Sequence, residues 1–272
     1  MKTHSIIPLL RKKTLLTLLN KGERKDGRTF NMYRKIEIQT NIIKSAEGSA
    51  QVRIGNTIVL TGVKLNLGQP YPDAPDQGVQ IVNAELIPLA SPSFEPGPPD
   101  EDDIELSRVV DRVLRSSETI DLNKLSIIRG KKTWIVYIDI YILNHDGNLF
   151  DASVIASVAA LLTTKIPKIE IVNENKIKIT EEKVDLPIRN LPVSVTFSKI
   201  GNHIIVDPCY EEELLSDAMI TVGIDSKNNI CTLQKIKEGC FKPDEILDIL
   251  KRAINVGSKY REKYLKKLLE KR

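Results

Sequence analysis

Arg108, Arg112 and Arg115 recur at i, i+4 and i+7, a spacing that sets three guanidinium groups along one edge of a helix. Such an edge can hold a polyanion, because arginine grips phosphate in a fixed fork and that attraction is independent of base sequence. It can equally be solvated, or paired with neighbours such as Asp111 and Glu105. Leu106, Val109, Val110 and Val113 fall at core spacing on the same helix. Ahead of them, after a Pro96-Gly97-Pro98-Pro99 turn, five acids (Asp100, Glu101, Asp102, Asp103 and Glu105) fill the first turn. Carboxylates there suit the positive end of the helix macrodipole, and they would repel phosphate. Other groups that often do chemistry show no such pattern. His4, His145 and His203 are scattered without a Ser or Cys partner, so no triad is suggested. Cys209, Cys231 and Cys240 are odd in number and form no Cys-x-x-Cys pair, which argues against a disulfide framework and against a metal site. They read as small buried thiols.

The elements that must position these residues follow from periodicity. Residues 6–20 read as an amphipathic helix, Ile6, Leu10, Leu15, Leu18 and Leu19 standing against Arg11, Lys12 and Lys13, with Gly22 placed to end it. Arg24-Lys25-Asp26-Gly27-Arg28 reads as a polar turn. Strands are expected over 33–39, 49–54, 57–65 and 79–89, the second and third joined by a hairpin at Gly55-Asn56. The arginine helix spans about 101–118. Residues 133–143 form a near-continuous apolar strand buried on much of both faces, so Trp134 and Tyr137 belong to the core. A turn over 144–148 leads to a small-residue helix over 151–164, with Asp151 as its N-cap. A second set of strands covers 193–199, 203–206, 218–225 and 230–237, and Pro243 starts one long amphipathic helix over 244–269.

Bulk properties set the class. The chain has 272 residues, 41% of them hydrophobic and 28% charged, as in a soluble globular protein of one large domain or two fused halves. No apolar run approaches a membrane span and no leader is visible, so a cytoplasmic location is expected. The net charge of +4 hides a division. Residues 1–35 hold ten Lys/Arg against two acids, and residues 242–272 ten against five, which leaves the centre at −9. Basic ends on an acidic body can serve nucleic acid or can be solvated helix faces.

Five landmarks then resemble, in order, those of the RNase PH family: Arg24-Lys25-Asp26-Gly27-Arg28; Gly48-Ser49-Ala50 with the Gly55-Asn56-Thr57 hairpin; the Pro-Gly-Pro turn and its Glu105-Leu106-x-Arg108-x-x-x-Arg112 helix; Asp146-Gly147 ahead of Ala152-Ser153; and the acidic stretch of Asp207 and Asp217. The resemblance covers about residues 20–255. It implies an α+β fold of two βαβα-like halves of the ribosomal protein S5 domain 2-like type. The expected division is an N-terminal helix (1–22), a first half (23–190) and a second half (191–272). The chemistry it implies is phosphorolysis of RNA from the 3′ end.

Three departures bear on that chemistry. Active relatives carry a phosphate-binding arginine directly before the small-residue helix, where this chain has Phe150 followed by Asp151. They carry two aspartates six residues apart, where this chain has Glu211 and Asp217. They carry arginines in the turn that here is acidic. The resemblance is therefore to the non-catalytic RNase-PH-like subunits of the archaeal exosome ring. It implies no catalytic residue, no metal and no cofactor in this chain. The implied partners are a homologous catalytic subunit in a hexameric ring of three heterodimers, cap proteins with S1 or KH modules, and single-stranded RNA contacted by Arg108, Arg112 and Arg115. The alternatives are an active phosphate-dependent 3′–5′ exoribonuclease and an S5-like RNA-binding module outside any nuclease.

Overall fold

The computed structural model describes residues 6–173 and 176–270. His4 and the side chains of Ile6 and Leu10 lie outside the described part. Helix α1 (Ile6–Asn20) ends at Gly22, whose φ of +77° is the left-handed conformation glycine accepts. Leu15 and Leu19 bury one face of α1 on Ile200, Ile205 and Leu215.

A six-stranded sheet follows from β1 (Ile36–Thr40), β2 (Gly48–Ile54), β3 (Thr57–Gly68), β4 (Val79–Leu86), β5 (Ser126–Ile128) and β6 (Lys132–Asn144). Its order is β1-β2-β3-β6-β4, with β5 on β6. Only β4 and β6 pair in parallel, with α2 (Glu101–Ser116) in the crossover. Helix α3 (Leu149–Thr163) leads to a hairpin of β7 (Lys165–Asn173) and β8 (Lys176–Asp185). The second sheet has the order β10-β9-β11-β12, built from β9 (Val193–Ile200), β10 (His203–Val206), β11 (Ala218–Ile224) and β12 (Ile230–Lys235). The short α4 (Tyr210–Leu215) bridges β10 and β11, and α5 (Pro243–Tyr260) closes the chain through a π-helical turn, Arg261–Lys266.

The layers run sheet, helices, sheet, helix. Helix α3 packs on β2 and β3 on one side and β9 on the other, and α2 touches β4 and β12. Helix α5 covers the far face of β9 and β11. A helix between two sheets has no solvent side, and every residue of α3 from Asp151 to Leu162 is buried. Its small residues are the solution: Ala152, Ser153, Ala156, Ala159 and Ala160 let both sheets approach. One core joins the two sheets, from Ile36 to Leu265.

Several sequence expectations change. Strand β6 is buried on one face only, through Val136, Ile138, Ile140 and Ile142. Its other face carries Asp139, hydrogen-bonded by Asn83 (3.0 Å), and a half-buried Tyr137. The long C-terminal helix runs to Leu269 as expected, with a π-helical turn inserted between α5 and a last α-helical turn, Lys267–Leu269. The β7–β8 hairpin, β5 and α4 were not expected at all. Among the described residues no helix is long and apolar enough to cross a membrane.

The fold makes the glycine of the second landmark testable. A Cβ on Gly48 would stand 2.2 Å from Thr164 Oγ1 and 2.5 Å from the Ala160 carbonyl oxygen, where β2 meets the end of α3. Gly48→Ala should destabilise the protein by about 1–3 kcal/mol through overpacking, seen as a lower denaturant midpoint with unchanged slope. An unchanged midpoint would show that the strand end yields freely.

Candidate functional site at the glycine loop and the arginine helix

The loop Asp146-Gly147-Asn148, between β6 and α3, meets Thr57 of the second landmark and lies above the Asp207 network that holds Arg24 and Arg28, while Gly48 and Asp217 stand elsewhere, against Thr164 and Lys12. Gly147 and Asn148 both have positive φ, +84° and +55°. A Cβ on Gly147 would stand 2.5–2.6 Å from backbone atoms of Pro208, Cys209 and Tyr210, so the second half presses directly on the loop. Thr57, first residue of β3, donates its hydroxyl to the Gly147 carbonyl (2.6 Å). Phe94, from the Pro/Gly loop before α2, stacks on His145 at 5.5 Å, and Tyr210 meets the same imidazole edge-on. Burial pushes the His145 pKa down to about 4, so it is neutral there.

Beneath the loop lies a buried charge network centred on Asp207, itself at φ +49° and wholly buried. One oxygen of Asp207 accepts from Arg28 Nη1 (2.8 Å) and from the Arg34 amide (2.8 Å). The other accepts from Arg34 Nη2 (2.8 Å) and Asn148 Nδ2 (2.7 Å). Arg24 grips Glu212 with Nε and Nη2, and donates to the Val206 and Asp207 carbonyls. Burial alone would raise the Asp207 pKa, but the hydrogen bonds and charge of Arg34, joined by Arg28, hold it below the usual carboxylate range. The polar turn expected at Arg24–Arg28 is thus two buried guanidinium groups.

One further expectation is corrected here. The N-cap of α3 is Asn148, not Asp151. Asp151 stands one turn inside, where Tyr33, Asn148, Ser194 and Thr196 all donate to it, which ties α3 to β9. Burial nevertheless raises its pKa to about 6. The acids singled out by spacing, Glu211 and Asp217, take different lysines, Lys25 (2.7 Å) and Lys12 (2.5 Å). The acid that faces the loop is Glu213, whose Oε1 accepts from the Asn148 amide at 2.6 Å. Burial raises its pKa to about 7. Phe150 packs against the core. Hence the amide at the mouth of α3 already faces a carboxylate, and each guanidinium below it already has one. Among the described residues no cluster of His, Cys, Asp and Glu is arranged to hold a metal ion.

On α2, Asp100 is the N-cap. It accepts from the Asp102 and Asp103 amides, while Asp103 reaches back to the Asp100 amide and also accepts from the Leu86 amide of β4. Two of the five acids are therefore structural caps. Arg108 is exposed, with no hydrogen-bond or ion-pair partner among the described residues. The other two arginines diverge from it: Arg112 donates to Gln234 of β12 (2.6 Å), while Arg115 pairs with Asp111 (2.9 Å) and reaches the Gln80 carbonyl of β4. Glu105 meets Gln234, not an arginine.

Comparison with known proteins decides the family. The model of the 3′ exoribonuclease family, domain 1 (RNase PH), matches residues 32–167, and that of domain 2 matches residues 190–256. The chain belongs to the RNase PH family of 3′ exoribonucleases. Two curated relatives are called exosome complex component Rrp42. The one from Thermococcus kodakarensis is 49% identical over 253 residues, 93% of each chain. The one from Archaeoglobus fulgidus is 50% identical over 255 residues, 92% of this chain and 94% of the relative. Among solved structures, a chain of the Archaeoglobus fulgidus exosome with RNA bound to the active site superposes with a TM-score of 0.87 at 47% identity, over 96% of this chain and 100% of the other. A chain of an archaeal exosome core gives 0.84 at 44%, over 95% and 97%. Within the RNase PH fold, the Arg24–Arg28 turn, Thr57, Asp146-Gly147 and Asp207 meet at or beneath the glycine loop, while Arg112 is held by Gln234 and Asp217 by Lys12.

Glu213 offers a test by pH. Its pKa is raised from an ordinary 4.5 to about 7, so the folded state binds the proton more tightly than the unfolded chain does. Stability must then fall as pH rises through that window. Glu213→Gln, neutral throughout, should gain in Tm over the unaltered chain on going from about pH 5 to about pH 8. An equal Tm difference at both ends would refute the assignment.

Proposed function

We propose that this chain is a non-catalytic subunit of an exosome-type core ring, which supports the active site of a homologous phosphorolytic 3′–5′ exoribonuclease subunit and contributes to holding RNA. The observation that carries this reading is the internal pairing at the glycine loop. Phosphorolysis needs an unengaged cationic or amide-lined pocket for the attacking phosphate. Here Glu213 takes the Asn148 amide, Asp207 and Glu212 take Arg24, Arg28 and Arg34, and Phe150 offers no donor. A phosphate entering the loop would meet a carboxylate first.

In this reading residues 1–22 form an N-terminal helix, and residues 23–190 and 191–272 are two halves that dock through the Asp207 network. The relatives named as exosome components support membership of an exosome-type assembly; in it the chain would alternate with a catalytic homologue in a ring of three heterodimers, capped by S1- or KH-type proteins and working in the cytoplasm. Arg108 is the arginine most available to RNA, since it alone of the three has no internal partner; Arg112 and Arg115 must first release Gln234 and Asp111.

Incubated with poly(A), phosphate and magnesium, the pure chain should release no ADP, and activity should appear only with a catalytic homologue added. Phe150→Arg alone should not restore activity, because Glu213 and the acids of α2 remain. Robust ADP release by the chain alone would sink the reading.

The arginines are tested in the assembled ring. Arg108→Glu with Arg112→Glu should weaken RNA binding for every sequence and lower the salt slope by about 0.7 per lost contact, the ring staying intact by gel filtration. Dissociation of the ring would instead assign these arginines to a subunit interface. An intact ring with unaltered affinity would leave them as solvated surface.

A further inference from the structure

The two basic ends of the chain meet. The segment Asn31–Ile36, which leads into β1, runs beside the last turns of α5 and the π-helical turn, and the two frame a groove of about 700 Å3. That is within the roughly 300–1,000 Å3 typical of ligand clefts. Lys35 comes from the first wall, and Arg252, Lys259 and Lys263 from the second. Not one carboxylate is among the lining residues, although the body of the chain is acidic. Lys259 and Lys263 stand four residues apart, one above the other, and neither engages a carboxylate among the described residues. Lys35 pairs with Glu37 at the surface, where such pairs hold weakly, whereas Arg252 is half-buried and held by Asp248, Asn31 and the Ile204 carbonyl.

The groove is aromatic as well as basic. Tyr33 and Tyr264 are half-buried in its walls, and Lys263 lies over the Tyr264 ring. The floor is rigid: Tyr33 is fixed by Asp151 and Tyr260 by the Ser194 carbonyl, and Arg252 ties the two walls by donating to Asn31 (2.7 Å). A π-helical turn, a feature concentrated at functional sites, forms one end. The groove lies at the β1 edge of the first sheet and the outer face of the second. Helix α2 lies at the opposite edge, against β4 and β12. A ligand in the groove therefore does not touch the arginine helix.

We propose that this groove is a second, separate binding site for single-stranded RNA, which takes phosphates on Lys259, Lys263 and Lys35 and a base against the tyrosines. Cations interleaved with aromatic faces suit a single strand, since every base has a π-face and every nucleotide a phosphate. An acidic protein segment would use the cations and leave the rings idle.

The test uses the full chain and a labelled oligoadenylate over a salt series, with ultraviolet cross-linking to map contacts. The unaltered chain should bind at low salt and cross-link within residues 31–36 and 252–264. Lys259→Glu with Lys263→Glu should lower the slope of log K against log salt by about 1.4, two contacts at about 0.7 each for a single strand, and abolish those cross-links. If the charge reversal lowers the Tm, Lys259→Ala with Lys263→Ala is read in its place. Arg108→Glu with Arg112→Glu, measured alongside, removes its own share of the slope, so loss of either site is visible without the other. Absence of binding by the unaltered chain, or an unchanged slope in the lysine variants, overturns the proposal. So does unchanged RNA affinity together with failure to assemble with a catalytic homologue, which would assign the groove to a protein.

Discussion

The Asp207 carboxylate is the interaction on which the rest of the structure depends. It belongs to the second half of the chain, directly after β10, yet its partners all come from the first: Arg28, the side chain and amide of Arg34, and Asn148 at the mouth of α3. Taking one partner from a buried pair leaves an uncompensated charge and typically costs about 3–5 kcal/mol. Here the loss of Asp207 would remove the carboxylate shared by Arg28 and Arg34, leaving Asp26 beside the first and Asp146, at 3.6 Å, beside the second. The backbone accepts positive φ at Asp207 and Asn148, residue types that tolerate the left-handed region, so that both side chains reach the same point.

That neutralisation shapes what the glycine loop can do. A helix mouth with a glycine turn is ordinarily a place for an outside anion. In this chain a Glu213 carboxyl oxygen takes the Asn148 amide from within, and the cations below are balanced by Asp207 and Glu212. The same charges lock the two sheets together, and Phe150 adds no cation at the mouth of α3. Among the described residues, basic side chains without a carboxylate partner lie elsewhere, among them Arg108 and, in the groove between residues 31–36 and 252–264, Lys259 and Lys263.

Most of the fold was legible because hydrophobic periodicity is local. The Gly55-Asn56 hairpin joins β2 and β3 as expected, and the α2 and β10 spans were recovered closely. The β7–β8 hairpin was not, because its charged residues, such as Lys168, Glu170, Lys178 and Glu182, mask the alternation and the hairpin packs mainly on itself. The site was legible as landmarks but not as geometry. Arg24 and Arg28 look solvated beside Lys25 and Asp26, and nothing local shows partners some 180 residues away. Glu211 is singled out by a spacing of six from Asp217, whereas it is Glu213, two residues on and so on the other side of α4, that reaches the loop. Three consecutive acids after Asp207-Pro208 were the available signal, but which of them points inward is set by the tilt of α4.

The account's central claim is that the loop's amides and cations are already satisfied from within. Phosphate titration followed by the amide resonances of Gly147 and Asn148 tests it most directly. The account predicts no saturable shift of either amide and no rise in Tm as phosphate is added. A saturable shift at both amides, with stabilisation that follows the same curve, would contradict it.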